Sequence, residues 1–169
     1  MGGADKNLDM KPLLQEIEKY CWNNILSNCD TGGFYQWDEL MQYSTNEGAQ
    51  GICPTGWHIP ADSDWKDLET ELGMLPDELE AGGWRGIDQG IGTQLKQGGA
   101  SGFEALLAGY TDANHHFSSL GKYGQYSSST EVSTDVRFAK RRLFDRDKAG
   151  VIRDDLWKNF GASVRCLKD

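Results

Sequence analysis

Glycine interrupts this chain too often for long regular elements. It stands at positions 82, 83, 86, 90, 92, 98 and 99, and it accounts for 21 of 169 residues, against a usual ~7%. Glycine reaches left-handed and tightly turned backbone without steric cost and weakens helix and strand interiors. A chain punctuated this way is built from turns and short strands. Six Trp, six Tyr and six Phe supply large rings to fill the thin core such a fold encloses. The length fits one compact domain, and 38% hydrophobic residues are too many for a disordered chain.

Charge removes two classes of partner. Lys plus Arg is 17 against 26 Asp plus Glu, a net charge of −9. Nucleic-acid backbones and anionic lipid surfaces both require basic surface, so neither is expected as a partner. The longest apolar run, Ala105 to Ala108, is far short of the ~18 residues of a membrane span.

The four cysteines are Cys21, Cys29, Cys53 and Cys166. An even count permits two disulfides in any of three connectivities. Without a Cys-x-x-Cys pair, zinc is disfavoured. Two bridges imply an oxidising compartment, against the alternative of four reduced cytosolic thiols. Met1-Gly2-Gly3 is not followed by a basic and then apolar stretch, and we read the sequence as a mature or trimmed form of an extracellular or cell-surface protein.

Along the chain, residues 1–19 read as a polar tail and a short amphipathic helix, with Asp9 as cap, Pro12 in its first turn and Leu13, Leu14, Ile17 and Tyr20 at helical spacing. Asn23 to Gly33 reads as a loop and Phe34 to Trp37 as a short strand. Asp38 is then expected to cap a helix carrying Leu40 and Met41. Trp57, His58 and Ile59 form a strand ended by Pro60. Asp62 is expected to cap the clearest helix, with Trp65, Leu68, Glu69 and Leu72 on one face up to Gly73. Residues 74–101 should hold little regular structure beyond a short helix near 76–81. Strand-like pieces follow at 103–110, 123–128, 137–144, 150–153 and 161–167. Helices first and strands later indicate an α+β fold.

The chemistry-bearing residues are sparse. No phosphate-binding loop, nucleophile elbow or His-Glu-x-x-His is present. His58 reads as a structural histidine. His115 and His116, adjacent at a hairpin tip, would point to opposite faces of a strand. Asp145 to Gly150 opens like a calcium loop but has Ala149 at its fifth position and Leu156 at its twelfth, so it reads as a solvated turn. No cofactor is expected, although a structural calcium ion on scattered oxygens stays open. The basic run Lys140-Arg141-Arg142 is either paired to acidic neighbours or a surface for an acidic or hydroxylated ligand. Leu156-Trp157 is either a core plug or a ligand contact.

Many motifs in order resemble one family. They begin with Asn28-Cys29-Asp30 and Gly33-Phe34-Tyr35-Gln36-Trp37. Gly51-Ile52-Cys53-Pro54-Thr55-Gly56-Trp57-His58-Ile59-Pro60, Trp65, and Leu72-Gly73-Met74 follow. Later come Gly83-Trp84-Arg85-Gly86, Leu95-Lys96, Ser101 to Leu106, Ser128-Ser129-Thr130-Glu131 and Ser163-Val164-Arg165-Cys166. Over residues 20–169 the chain resembles the Fibrobacter succinogenes major paralogous domain. The resemblance implies a single C-type lectin-like domain in the formylglycine-generating-enzyme-like variant: two to three helices packed on short antiparallel strands, with long Gly-rich loops. It implies disulfides Cys21–Cys29 and Cys53–Cys166, and Trp57, Trp65, Trp84 and Phe103 in the core. The paired C-terminal cysteines of formylglycine-generating enzymes and the calcium–sugar triplets of true C-type lectins have no counterpart here.

Departures from the family pattern gather late, at Tyr126 and Ser127, at Ala139 to Arg142 and at Ala162. That pattern is compatible with the variable proteins of diversity-generating retroelements, which keep a scaffold and vary one face. The expectation is therefore a non-enzymatic recognition domain that binds a protein or glycan through its C-terminal strands. Its ligand face is expected at Tyr126, Ser127, Phe138, Lys140, Arg141, Asp154, Leu156, Trp157 and Phe160, with Trp157 and Arg141 as joint anchors. The alternatives are an enzyme or enzyme-associated module acting on surface polysaccharide, and a structural cell-surface module.

Overall fold

The computed structural model describes residues 17–169. The helix expected from Asp9 onward lies mostly outside them; residues 17–19 are irregular, and Tyr20 pairs in an isolated bridge with Phe34. Two 3₁₀ helices, Trp22–Asn24 and Leu26–Thr31, occupy the segment expected as a loop, and the α-helices and strands are α1 (Trp37–Leu40), β1 (Trp57–His58), α2 (Asp62–Glu71), β2 (Gly83–Arg85), α3 (Ile91–Leu95), β3 (Tyr110–Thr111), β4 (Phe117–Ser118), β5 (Tyr123–Glu131), β6 (Phe138–Asp145), β7 (Val151–Trp157) and β8 (Leu167–Lys168). Short helices lead and an antiparallel sheet dominates the second half, so the α+β expectation holds.

The central sheet has the order β2-β7-β6-β5, every neighbour antiparallel. β2 joins it at one edge, although its Gly83-Trp84-Arg85 sequence reads as turn. Pairing of Trp84 with Ile152 and Arg85 with Val151 makes it a strand, an instance of tertiary context overriding local propensity. The segments 103–110 and 161–167 are mostly irregular, touching neighbours through isolated bridges such as Tyr126 with Ser163.

Helix α2 shows how the pieces lock together. Neither expected cap residue caps. The α1 cap position is Gln36, and Asp38 sits inside the first turn. The α2 cap position is Ala61, and Asp62 opens the helix itself. The first free N–H groups are satisfied elsewhere: Ala61 N–H donates to Asp64 Oδ2 at 2.7 Å, and Asp62 N–H to Thr130 Oγ1 at 2.8 Å. Thr130 belongs to an irregularity in β5 between Ser127 and Glu131. The same stretch receives Gly48 N–H on Ser129 Oγ and anchors Ser128 Oγ to the Lys140 carbonyl. The hydroxyl-rich Ser128-Ser129-Thr130 motif thus ties helix, loop and sheet together. At its other end α2 stops at Leu72, followed by Gly73 at φ +96°, the left-handed conformation that glycine supplies at helix ends.

Two apolar clusters result. One joins Trp65, Met74, Ile91, Leu95, Ala105, Tyr126, Phe144 and Val151. The other gathers Trp37, Leu40, Met41, Cys53, Ile59 and Ala139. The approach of α3 to the β6–β7 turn is so close that a Cβ on Gly92 would lie 1.9 Å from the Gly150 carbonyl oxygen. Of the four aromatics expected inside, Trp65 is buried, and Phe103 packs half-buried against the first cluster. Trp84 is half-buried. Trp57 is exposed, because the two-residue strand β1 has only β8 beside it. Disulfides join Cys21 to Cys29 and Cys53 to Cys166, with Cα atoms 4.8 and 5.8 Å apart. Among the described residues no helix is long and apolar enough to cross a membrane.

Candidate functional site

Strand register sorts the residues nominated from sequence. Phe138 lies opposite Trp157, Lys140 opposite Asp155, Arg141 opposite Asp154, and Arg142 opposite Arg153. Side chains alternate along a strand, so Phe138, Lys140 and Trp157 share one face while Arg141 and Asp154 share the other. Trp157 and Arg141 therefore cannot anchor one ligand together, a correction to the expected face. Tyr126, Ser127 and Leu156 are also misplaced: they are 5%, 4% and 8% exposed. The Tyr126 hydroxyl accepts Leu106 N–H and donates to Leu106 O, and burial pushes its pKa up to about 12. The Leu156 half of the Leu156-Trp157 pair is the core plug, and the Trp157 half faces solvent.

The remaining polar nominees are already engaged. Arg141 grips Asp154 through Nε and Nη2 and also donates to Gln125 Oε1; Lys140 pairs with Asp155. Phe160 is half-buried, its N–H bound to the Trp157 carbonyl. What stays open is an aromatic ledge at the end of the sheet. Trp157 is 41% exposed, with its ring centroid 4.1 Å from that of Phe138. The Arg137 guanidinium lies 5.1 Å above the Trp157 ring and is itself held by Asp135, whose carboxyl its hydrogen bonds bring down to about 2. Beside the ledge opens a cleft of about 390 Å³ lined by Gln36, Asp38, Val136, Arg137, Trp157, Lys158 and Asn159. Its walls combine a ring face with amide, carboxylate and ammonium groups, the mixture that fixes orientation in small ligand sites.

Arg142, one residue from Arg141, does something else entirely. It is 0% exposed and reaches into the core between α2 and the sheet. Its Nε donates to Glu69 at 2.6 Å and its Nη1 to Asp62 at 2.7 Å. Glu69, also 0% exposed, receives Arg85 Nη2 on both oxygens at 2.7 and 2.8 Å. Arg153 grips Asp62 from the next strand. Burial pushes the Asp62 carboxyl up, but the Arg153 hydrogen bonds and the Arg142 charge outweigh it and hold the group well below the usual carboxylate range. This network, which sequence reading missed, binds helix to sheet. Glu69 on the apolar face of the helix was its one visible sign.

A larger cleft, about 550 Å³, runs along Ala105 to Ala108 and Leu120, with Lys96 and Arg146 at its rim. Lys96 is occupied: its ammonium donates to the carbonyls of Asp145, Arg146 and Lys148 at 2.7–3.2 Å. A tethered cation thus fills the turn that opens like a calcium loop. His58 binds Asp169, His115 stacks on Tyr20 and His116 binds Asp112. Among the described residues, no three His, Cys, Asp or Glu side chains converge where they could hold a metal.

The family model described as Fibrobacter succinogenes major domain matches residues 4–168. No curated protein and no solved structure matches the chain.

Proposed function

The chain belongs to the Fibrobacter succinogenes major domain family, and we propose that it is a non-enzymatic recognition domain of C-type lectin-like fold, working outside the cell and gripping a glycan or protein on the Trp157 ledge. The observation that carries this reading is the ledge itself: an exposed Trp packed against Phe138 and Arg137, beside a polar-lined cleft. A pre-braced aromatic ring loses little freedom on binding. Two disulfides support an oxidising environment. Every described carboxylate with a displaced pKa, among them Asp62, Asp135 and Asp145, moves down, which favours binding over general-acid chemistry.

Retroelement diversification draws less support. Lys140 and Arg141 are half-buried and ion-paired, whereas Tyr126, Ser127, Ala139, Arg142 and Ala162, where the sequence also leaves the family pattern, are buried. Changes there alter packing before they alter a ligand contact.

A glycan and bacterial-surface array with purified protein tests the proposal. Trp157→Ala should abolish capture while lowering the melting temperature by only a few degrees, since the tilted Phe138 ring contact contributes about 1 kcal/mol. Unchanged capture by the variant would refute the assignment.

A further inference from the structure

A third hollow, of about 240 Å³, shares no lining residue with the Trp157 cleft. It lies between the Gly32–Gly33 turn and the 163–165 segment, with Tyr35 on its wall. Its most informative group is Ser163, which is 6% exposed. The backbone of Ser163 is committed on both sides, donating to the Gln125 carbonyl and accepting from Ser127 N–H. Its Oγ has no hydrogen-bond partner. Buried hydroxyls are normally satisfied, so an orphan fixed in a hollow marks a place where a ligand atom belongs. The oxygen faces space that Gly32 leaves free: a Cβ on Gly32 would stand 3.5 Å from it.

One cation, Arg165, lines the same hollow. Arg165 is the one arginine for which no carboxylate or carbonyl contact occurs among the described residues. Its guanidinium rests 5.3 Å over the Phe103 ring, which steadies it without neutralising it. On the other side, the Lys19 stem passes so close to Gly33 that a Cβ there would meet Lys19 Cε at 2.5 Å. No described carboxylate pairs with Lys19. No acidic residue lines the hollow, although the chain carries a net charge of −9. Tyr126 also lines it but spends its hydroxyl on Leu106.

We infer that this hollow binds a small carboxylate, the chemistry a sugar acid presents, with Arg165 as its cation and the Ser163 hydroxyl as its buried donor. A guanidinium fork matches the two oxygens of a carboxylate in a plane. Tyr35, on the wall of the hollow, completes a rim suited to ring hydroxyls. The inference is independent of the Trp157 ledge.

The test is a titration of the whole ¹⁵N-labelled chain, following the Arg165 Nε–H and Ser163 amide signals. Glucuronate is the probe, with glucose and sulfate at matched ionic strength beside it. Glucuronate should shift both signals saturably, and glucose and sulfate should not. Arg165→Gln should weaken binding at least about tenfold, the factor that 1.4 kcal/mol represents. Ser163→Ala should weaken it severalfold while leaving the melting temperature unchanged, because the hydroxyl has no partner to lose. Trp157→Ala should bind glucuronate normally, which separates this site from the ledge. Absence of saturation with glucuronate, equal shifts with sulfate, or full binding by Arg165→Gln would overturn the inference.

Discussion

Replacing Glu69 by Gln keeps the side chain's size and removes one charge from the middle of the molecule. Glu69 and Asp62 face Arg85, Arg142 and Arg153. In the variant, Arg85 loses its carboxylate partner and Arg142 keeps only Asp62, and the new amide turns an N–H₂ toward donors it cannot satisfy. Arg85 and Arg142, 1% and 0% exposed, have no solvent to compensate them. Removing one partner of a buried pair costs about 3–5 kcal/mol, a large share of the ~5–15 kcal/mol that stabilises a domain. At ~2–4 °C per kcal/mol for a chain of this size, the melting temperature should fall by roughly 6–20 °C. Urea unfolding followed by far-ultraviolet circular dichroism, with disulfides intact, measures the loss directly. Glu80→Gln is the control. Glu80 pairs with Lys66 and Arg153 from an exposed position, and surface pairs contribute ~0–1 kcal/mol. Replacing Glu69, Arg85 and Arg142 together by Leu or Met should restore much of the stability, since a well-packed apolar core tolerates the loss of ions better than the loss of one ion. A Glu69→Gln loss below ~1 kcal/mol with an unchanged m-value would show that the network is not what holds α2 to the sheet.

Three further outcomes can be checked on the same material. Removing the Cys53–Cys166 bridge, whose ends are 113 residues apart, should cost up to ~5 kcal/mol in the chain-entropy model, against ~2–3 kcal/mol for Cys21–Cys29; equal losses in denaturant melts would contradict it. Gly92→Ala should fail to give a cooperatively melting protein, because its Cβ collides with Gly150 backbone, whereas Gly98→Ala, which meets nothing within 4 Å but sits at φ +77°, should cost only ~1 kcal/mol of backbone strain. Asp62, with a folded pKa below its unfolded value, adds stability that is full above about pH 4 and lost as pH falls further. In Asp62→Asn, acid melts should therefore show less of that pH dependence.

Parts of this architecture are legible in the residues and others are not. Trp65, Leu68 and Leu72 at helical spacing, closed by Gly73, mark α2 without ambiguity. The cysteine pairing followed from the family resemblance rather than from spacing. Helix caps failed as signals because Asp62 has stronger partners in Arg142 and Arg153, while Thr130, distant in sequence, takes the capping role. The basic run misled for another reason. Lys140, Arg141 and Arg142 look alike as text, but β6 is covered on both faces toward its end, where Leu143 and Phe144 are both buried. No alternation of polar and apolar residues then reveals which arginine turns inward. Nor could the text place Trp157 and Arg141 on opposite faces, since that depends on the register set by the turn at residues 146–150.

The meeting of β1 with β8 has a consequence for the order in which the protein can be made. Trp57 pairs with Lys168 and His58 with Leu167, and Cys53 waits across 113 residues for Cys166. During synthesis Cys53 is an open thiol until almost all of the domain has emerged, free to form a wrong bond with Cys21 or Cys29. Contacts so distant in sequence form late and slowly. The early Cys21–Cys29 link, only eight residues apart, takes two of the three competing sulfurs out of play first, leaving Cys53 for the one partner still to come.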